Sequence, residues 1–134
     1  MSQSVNCIML IDDNKHDNYF HERIIKEYNS NITVITQPSG TLALQYLQQQ
    51  HEEYNRPDII FLDINMPRMN GWEFLEEYKK LNKELHSKVI VVMLTTSLDS
   101  QDKDKSEAFT ILSDYNTKPL TQSMVESIVQ KYFV

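Results

Sequence analysis

Cysteine is nearly absent. Cys7 stands alone among 134 residues, which excludes an internal disulfide and a thiolate-rich metal site. Glycine is almost as scarce. Only Gly40 and Gly71 occur, so a glycine-rich loop that cradles phosphates cannot be built. No Gly/Ser-rich or Pro-rich stretch marks a linker, and no segment repeats. Long hydrophobic runs are missing too. The apolar stretch Cys7 to Ile11 is far too short for a signal-peptide core or a membrane span, and Met1 to Asn6 carries no Lys or Arg. A cytoplasmic protein without membrane insertion is therefore expected. Basic charge is in deficit, with 13 Lys and Arg against 19 Asp and Glu and a net charge of −6. That argues against a nonspecific nucleic-acid binder, which needs a basic face to displace counterions. An acidic excess suits a site that holds a cation. Against these absences, 40% of the residues are hydrophobic, and a chain of this length buries about two-thirds of its unfolded surface. One domain over residues 1–134, with a core from about 6 to 133, is expected.

Short, continuously apolar runs alternate with segments of helical periodicity. Asn6 to Ile11 reads as a strand buried on both faces. From about His16 to Asn29, helical spacing brings Tyr19, Phe20, Ile24, Ile25 and Tyr28 together. Thr33 to Thr36 is β-branched and reads as a second strand. Ser39 can cap a helix carrying Leu42, Ala43, Tyr46 and Leu47. Ile59 to Leu62 is a third strand, ending in Asp63. Gly71 opens a helix with Trp72, Phe74, Leu75 and Tyr78. Val89 to Leu94 is a fourth strand, followed by a polar helix with Ala108, Phe109 and Leu112 near its end. Asp114 to Thr117 is a fifth strand, and a last helix places Met124, Ile128, Val129 and Phe133 inward. Strict alternation of this kind means a parallel sheet covered by helices on both sides. A doubly wound α/β fold with five strands in the order 2-1-3-4-5 fits best, and such a sheet places its ligand site at the carboxyl ends of its strands.

Chemistry collects at that edge. Asp12 and Asp13 follow the first strand, Asp63 the third, Thr95, Thr96 and Ser97 the fourth, and Lys118 the fifth. Three carboxylates held together repel one another. A hard divalent cation relieves the repulsion, and oxygen ligands of this kind suit Mg2+, with Mn2+ as a substitute.

These residues resemble a known pattern. The Asp12-Asp13 pair, Asp63 within Phe61-Leu62-Asp63-Ile64-Asn65-Met66-Pro67, Gly71 eight residues beyond Asp63, Leu94-Thr95-Thr96-Ser97, and Tyr115 three residues before Lys118-Pro119 are similar to the receiver domain of bacterial two-component response regulators, the CheY-like fold. The resemblance covers roughly Asn6 to Phe133. It implies a phospho-acceptor at Asp63, loaded from a sensor histidine kinase or a histidine phosphotransfer protein. It implies a Mg2+ site made by Asp13, Asp63 and the backbone carbonyl of Asn65, with Asp12 acting through a bound water. Lys118 and the Thr95 hydroxyl would contact the phosphoryl group, Thr95 and Tyr115 would form the switch, and Asn65 and Ser97 would tune phosphoryl lifetime. Pro119 would follow a cis bond, and Gly71 would permit a turn that a Cβ hinders. Such a protein catalyses its own phosphorylation and dephosphorylation but is a switch rather than a turnover enzyme. One departure is the run Ala108 to Asp114, which lacks the glycine that receivers often carry there.

Other residues take plainer readings. Cys7 is a small core residue. His16, His21, His51 and His86 are surface or partly packed. Trp72 packs near the site rim. Lys103 and Lys105 make no nucleic-acid patch, because Asp99, Asp102, Asp104 and Glu107 interleave with them. The chain stops at Val134, so the simplest expectation is a stand-alone receiver whose output is binding of a downstream protein. The signalling surface would be the fourth helix, fifth strand and fifth helix, with Phe109, Leu112 and Phe133 serving wherever they are exposed. Candidate partner positions are Asn14, Lys15, Asn18, Tyr19, Glu22 and Leu120. A phosphorelay intermediate and a phosphorylation-independent binding module are the alternatives. A flavin carrier fails because Asp12-Asp13-Asn14-Lys15 would repel the flavin phosphate. A metal-dependent hydrolase would need a cap domain.

Overall fold

The computed structural model describes residues 5–49, 56–81, 89–96 and 100–133. Five strands, β1 (Cys7–Ile11), β2 (Thr33–Gln37), β3 (Ile59–Leu62), β4 (Ile90–Thr95) and β5 (Leu112–Thr117), alternate with five helices. The helices are α1 (Lys15–Tyr28), α2 (Gly40–Leu47), α3 (Gly71–Tyr78), α4 (Ser100–Ala108) and α5 (Gln122–Phe133). The strands form one sheet in the order β2-β1-β3-β4-β5, every pairing parallel. This is the expected doubly wound arrangement. Among the described residues, no helix is long and apolar enough to cross a membrane.

The three central strands are apolar up to the Thr95 that ends β4 because both faces are covered. Met9, Ile11, Ile60, Leu62, Val91 and Met93 face a core shared with α2 and α3. Ile8, Leu10, Ile59, Phe61, Val92 and Leu94 face the core shared with α1 and α5. Each of these side chains contributes about 1.5–3 kcal/mol through burial. Cys7 lies in the same sheet, where burial, then the charge of Asp58, push its thiol up to about 11. It is the inert core residue expected. The helices start where short polar caps allow. Asn14, Ser39 and Asn70 each accept backbone N–H groups of the first turn.

Several expected faces are rotated or shifted. The buried residues of α1 are Asn18, His21 and Ile25, whereas Tyr19 and Phe20 are exposed. The helix turns this face inward because the Asn18 side-chain amide donates to the backbone oxygen of Asp12 at 2.8 Å. His21 is thus buried, not a surface residue. In α2, Leu44 is buried and Leu42 is exposed. In α5, Val125 takes the inner place, with Met124 and Val129 at its margins. Helix α4 ends at Ala108, and Leu112 opens β5. A bulge between Val91 and Val92 sets the β4–β5 register. Phe133 is buried, and Phe109 and Leu112 are half-buried, so none of the three is an exposed signalling residue. Ser97, Asp99, His51 and His86 lie outside the described residues.

Candidate functional site

The sheet's hydrogen bonds run one residue past each strand and fix the carboxyl edge. The Asp12 N–H donates to Gln37 O at 3.1 Å, the Asp63 N–H to Ile11 O at 3.0 Å and the Lys118 N–H to Thr95 O at 2.7 Å. Asp12, Asp63 and Thr95 are buried, while Asp13 is exposed. Carboxylate oxygens of Asp12, Asp13 and Asp63 all come within 4.8 Å of one another. Lys118 crosses from the far strand to meet them. Its Nζ lies 2.5 Å from Asp12 Oδ2, 2.9 Å from Asp17 Oδ2 and 3.6 Å from Asp63 Oδ1. The Lys118-Pro119 bond is cis.

Charge follows from this packing. Burial raises the Asp63 carboxyl from an ordinary 3.8 to about 6, and the negative charges of Asp12 and Asp13 push the same way. The Lys118 ammonium and the Asn65 backbone N–H oppose them without cancelling them. For Lys118, burial alone would weaken its hold on the proton. The hydrogen bonds to Asp12 and Asp17, with the charges of Asp12 and Asp63, more than offset that and hold it above its ordinary value.

The acids differ in what they have left to offer. Asp12 accepts the Asn14 N–H on Oδ1 and the Lys118 ammonium on Oδ2. Asp13, among the described residues, has no hydrogen bond or ion pair, so its carboxylate is open to a ligand. A hard divalent cation fits this set, because it would lie among oxygen donors and relieve the repulsion that adds to burial in raising Asp63. The cluster is capable of coordinating a divalent metal.

The loop after Asp63 is shaped by Gly71. Its N–H donates to Ile64 O at 2.8 Å, bringing the start of α3 against the acceptor strand. Arg68 turns this loop with a φ of 69°, a left-handed conformation that costs a non-glycine residue about 1 kcal/mol. Asn65 is exposed. Tyr115 is half-buried against the α2–α3 core and pairs with Met93. Trp72 is buried, stacks on Phe109 and donates to Asp102 Oδ1 at 3.3 Å. It is the packing residue expected.

Three residues of α1 belong to this edge and were not expected there: Asp17, Asn18 and His21. The buried flank of the site is lined by Asp12, Asn18, His21 and Asp63. Burial, then the Lys118 charge, hold the His21 imidazole below its ordinary value. The buried Asn18 Oδ1 finds no hydrogen-bond partner among the described residues. A signal was present in the sequence: Asp17 and Asn18 stand four and three residues before His21, the spacings that make helical neighbours, one turn after the acidic pair.

The comparisons with known proteins agree with this geometry. Residues 8–130 match the response regulator receiver domain. Response regulator Rcp1 of Synechocystis sp. is 37% identical over 103 residues, which is 75% of this chain and 69% of that protein. A crystal structure of the Mn2+-bound form of response regulator Rcp1 aligns over 94% of this chain and 90% of its own, with a TM-score of 0.72 and 32% identity. A two component response regulator from Cytophaga hutchinsonii gives a TM-score of 0.87 at 32% identity, over 97% of this chain and 98% of its own. The phosphorylated cyanobacterial phytochrome response regulator RcpA gives 0.75 at 32%, over 96% and 91%. Two further curated relatives are longer, and the chain spans 46% and 33% of their lengths. Since the match runs through all five strands and the fold is shared at more than 30% identity, the chain belongs to the response regulator receiver domain family, of the CheY-like type, and is a phospho-accepting switch.

Proposed function

We propose that Asp63 accepts the phosphoryl group, in a Mg2+-dependent reaction, from a phosphohistidine on a sensor histidine kinase or histidine phosphotransfer protein. The reaction takes place in the cytoplasm, within a single receiver domain formed by this chain. One observation carries the reading: Asp63 is the buried carboxylate at the end of the central strand β3, with carboxylate oxygens of Asp12 and Asp13 within 4.8 Å and the Lys118 ammonium 3.6 Å away. Asp13, Asp63 and the backbone carbonyl of Asn65 would hold the ion, with Asp12 reaching it through a water. When bound, the ion supplies positive charge against the phosphoryl oxygens.

The chain's own residues supply the rest. With a pKa of about 6, Asp63 is mostly ionised at pH 7, so an oxygen lone pair is available to attack phosphorus. The new bond joins that oxygen to phosphorus. The phosphorus–nitrogen bond to the donor imidazole breaks, and its electron pair leaves with the nitrogen. Lys118 offsets the charge on the transferring group. Its flexible stem follows the oxygens as they move. The Thr95 hydroxyl donates to an oxygen of the loaded group, Tyr115 responds, and the change in this surface alters binding of a downstream protein. Asn65 and Ser97 set how long the group lasts, and Pro119 sets the approach of Lys118.

Intact-protein mass after incubation with acetyl phosphate tests the assignment. A gain of one phosphoryl group that requires Mg2+ and vanishes in Asp63→Asn is expected. The same gain in Asp63→Asn would move the acceptor elsewhere.

A further inference from the structure

Helix α1 opens with Asn14, which caps the N–H groups of His16 and Asp17 at 2.9 and 3.1 Å. A Glu or Gln three residues after such a cap ordinarily reaches back to the cap's own N–H and closes a reciprocal pair. Helix α3 does this. Asn70 accepts from the Glu73 N–H at 2.9 Å, and Glu73 accepts from the Asn70 N–H at 3.0 Å. Helix α1 has the same Asn-x-x-acid spacing and does not close it. The Asn14 N–H goes instead to Asp12 Oδ1 at 2.9 Å. Asp17 is left free of capping duty, and its Oδ2 accepts the Lys118 ammonium at 2.9 Å.

Asn18 secures this turn. Its amide donates to Asp12 O at 2.8 Å, tying the start of α1 to the loop that carries the acidic pair. Two of the three ammonium hydrogens of Lys118 are thereby engaged, by Asp12 and Asp17. Asp63 Oδ1, at 3.6 Å, lies beyond hydrogen-bond reach. A phosphoryl group on Asp63 would bring oxygens toward the one donor that is left.

We propose that Asp17 is a positioning residue for Lys118. It holds the ammonium from the α1 side, so that a single donor is presented to the acceptor before the phosphoryl group arrives. A lysine side chain has several rotatable bonds, and immobilising it in advance lowers the cost of the later contact. The idea rests on the reading of Asp63 as acceptor and of Lys118 as its phosphoryl contact.

The test uses NMR on the whole chain. The Lys118 side-chain 15Nζ resonance is recorded first, with no phosphoryl mimic present. It is expected to be visible and protected from exchange in the parent, lost or broadened in Asp17→Ala, and retained in Asp17→Asn, whose amide oxygen still accepts. Beryllofluoride is then titrated in Mg2+ and followed by amide shifts. Asp17→Ala is expected to weaken binding by about fivefold, and to have no further effect in a Lys118→Ala background. An unchanged Lys118 resonance in Asp17→Ala, or an equal loss of affinity with and without Lys118, would overturn the proposal. The amide spectrum of each variant reports its fold independently. A parent chain that ignores beryllofluoride would overturn the acceptor reading and this role with it. A parent that binds while Asp17→Ala binds equally well overturns this role alone.

Discussion

A Cβ built on Gly71 would stand 2.7 Å from the backbone oxygen of Asp63 and 2.9 Å from Ile64 Cα. Both are backbone atoms of the segment that carries the acceptor, so they cannot swing aside. Gly40 is different. Its nearest neighbour would be Met69 Sδ at 2.7 Å, the far end of a flexible side chain. Gly71→Ala is therefore expected to destabilise the chain by about 2 kcal/mol and to displace the Asp63 amide resonance. Gly40→Ala, at the first position of α2, is expected to stay within about 0.5 kcal/mol, because better helix propensity offsets the small repacking. Denaturant melts of the two variants check this, and an equally mild Gly71→Ala would show that the loop is not packed as described. At Gly71 the obstacle to a Cβ is the close approach of two backbones rather than an unusual dihedral.

Among the elements, strands were more legible than helix faces. Residues Ile8 to Ile11, Ile59 to Leu62 and Val91 to Leu94 are continuously apolar because both sheet faces are covered, and no competing pattern exists for them. The acids and the lysine at their ends followed directly from the sheet order. On helix α1, hydrophobicity marks Ile24, Ile25 and Tyr28 correctly as core-facing but not the inner face of the first two turns. Polar Asn18 and His21 occupy that face because a hydrogen bond to Asp12 and the packing around the site outweigh the burial of Tyr19 and Phe20. Asp17 is not legible as a site residue because an acid in a first helical turn has an ordinary explanation in the helix dipole. Helix α4 poses the opposite problem. Its sequence, Ser-Gln-Asp-Lys-Asp-Lys-Ser-Glu-Ala, offers only Ala108 as an apolar residue. One tie to the body is the Trp72 indole donating to Asp102 at 3.3 Å, with Phe109 stacked on the same ring at 5.8 Å between centroids. Trp72→Phe keeps an aromatic ring and removes the donor. Loss of one such bond is worth about 1 kcal/mol, so amide exchange across α4 is expected to quicken by about fivefold while α1 and α5 are unchanged. Uniform acceleration in all helices would mean that the ring serves the core alone.

For the molecule as a whole, the acidic edge is a place where stability is given up to hold reactive groups together. Asp63 titrates near 6 in the folded chain, against an ordinary 3.8. Between those values the folded chain binds more protons than the unfolded one, so the Asp63 contribution to stability falls as pH rises from about 4 to 6. The whole shift corresponds to about 3 kcal/mol lost by pH 7 in the absence of a cation. Asp63→Asn cannot ionise. In EDTA, its stability is expected to match the parent at pH 4 and to exceed it by about 3 kcal/mol at pH 7. Comparing the two chains at each pH cancels the contribution of shared groups that lie far from Asp63. Adding Mg2+ at pH 7 is expected to raise the melting temperature of the parent and leave the variant nearly unmoved, because a ligand stabilises only the state that binds it. Urea melts at four pH values, with EDTA and with Mg2+, check both limbs. Parallel pH profiles for the two chains would mean that burial and the neighbouring acids do not raise Asp63. A variant stabilised by Mg2+ as much as the parent would mean that the ion is held without Asp63.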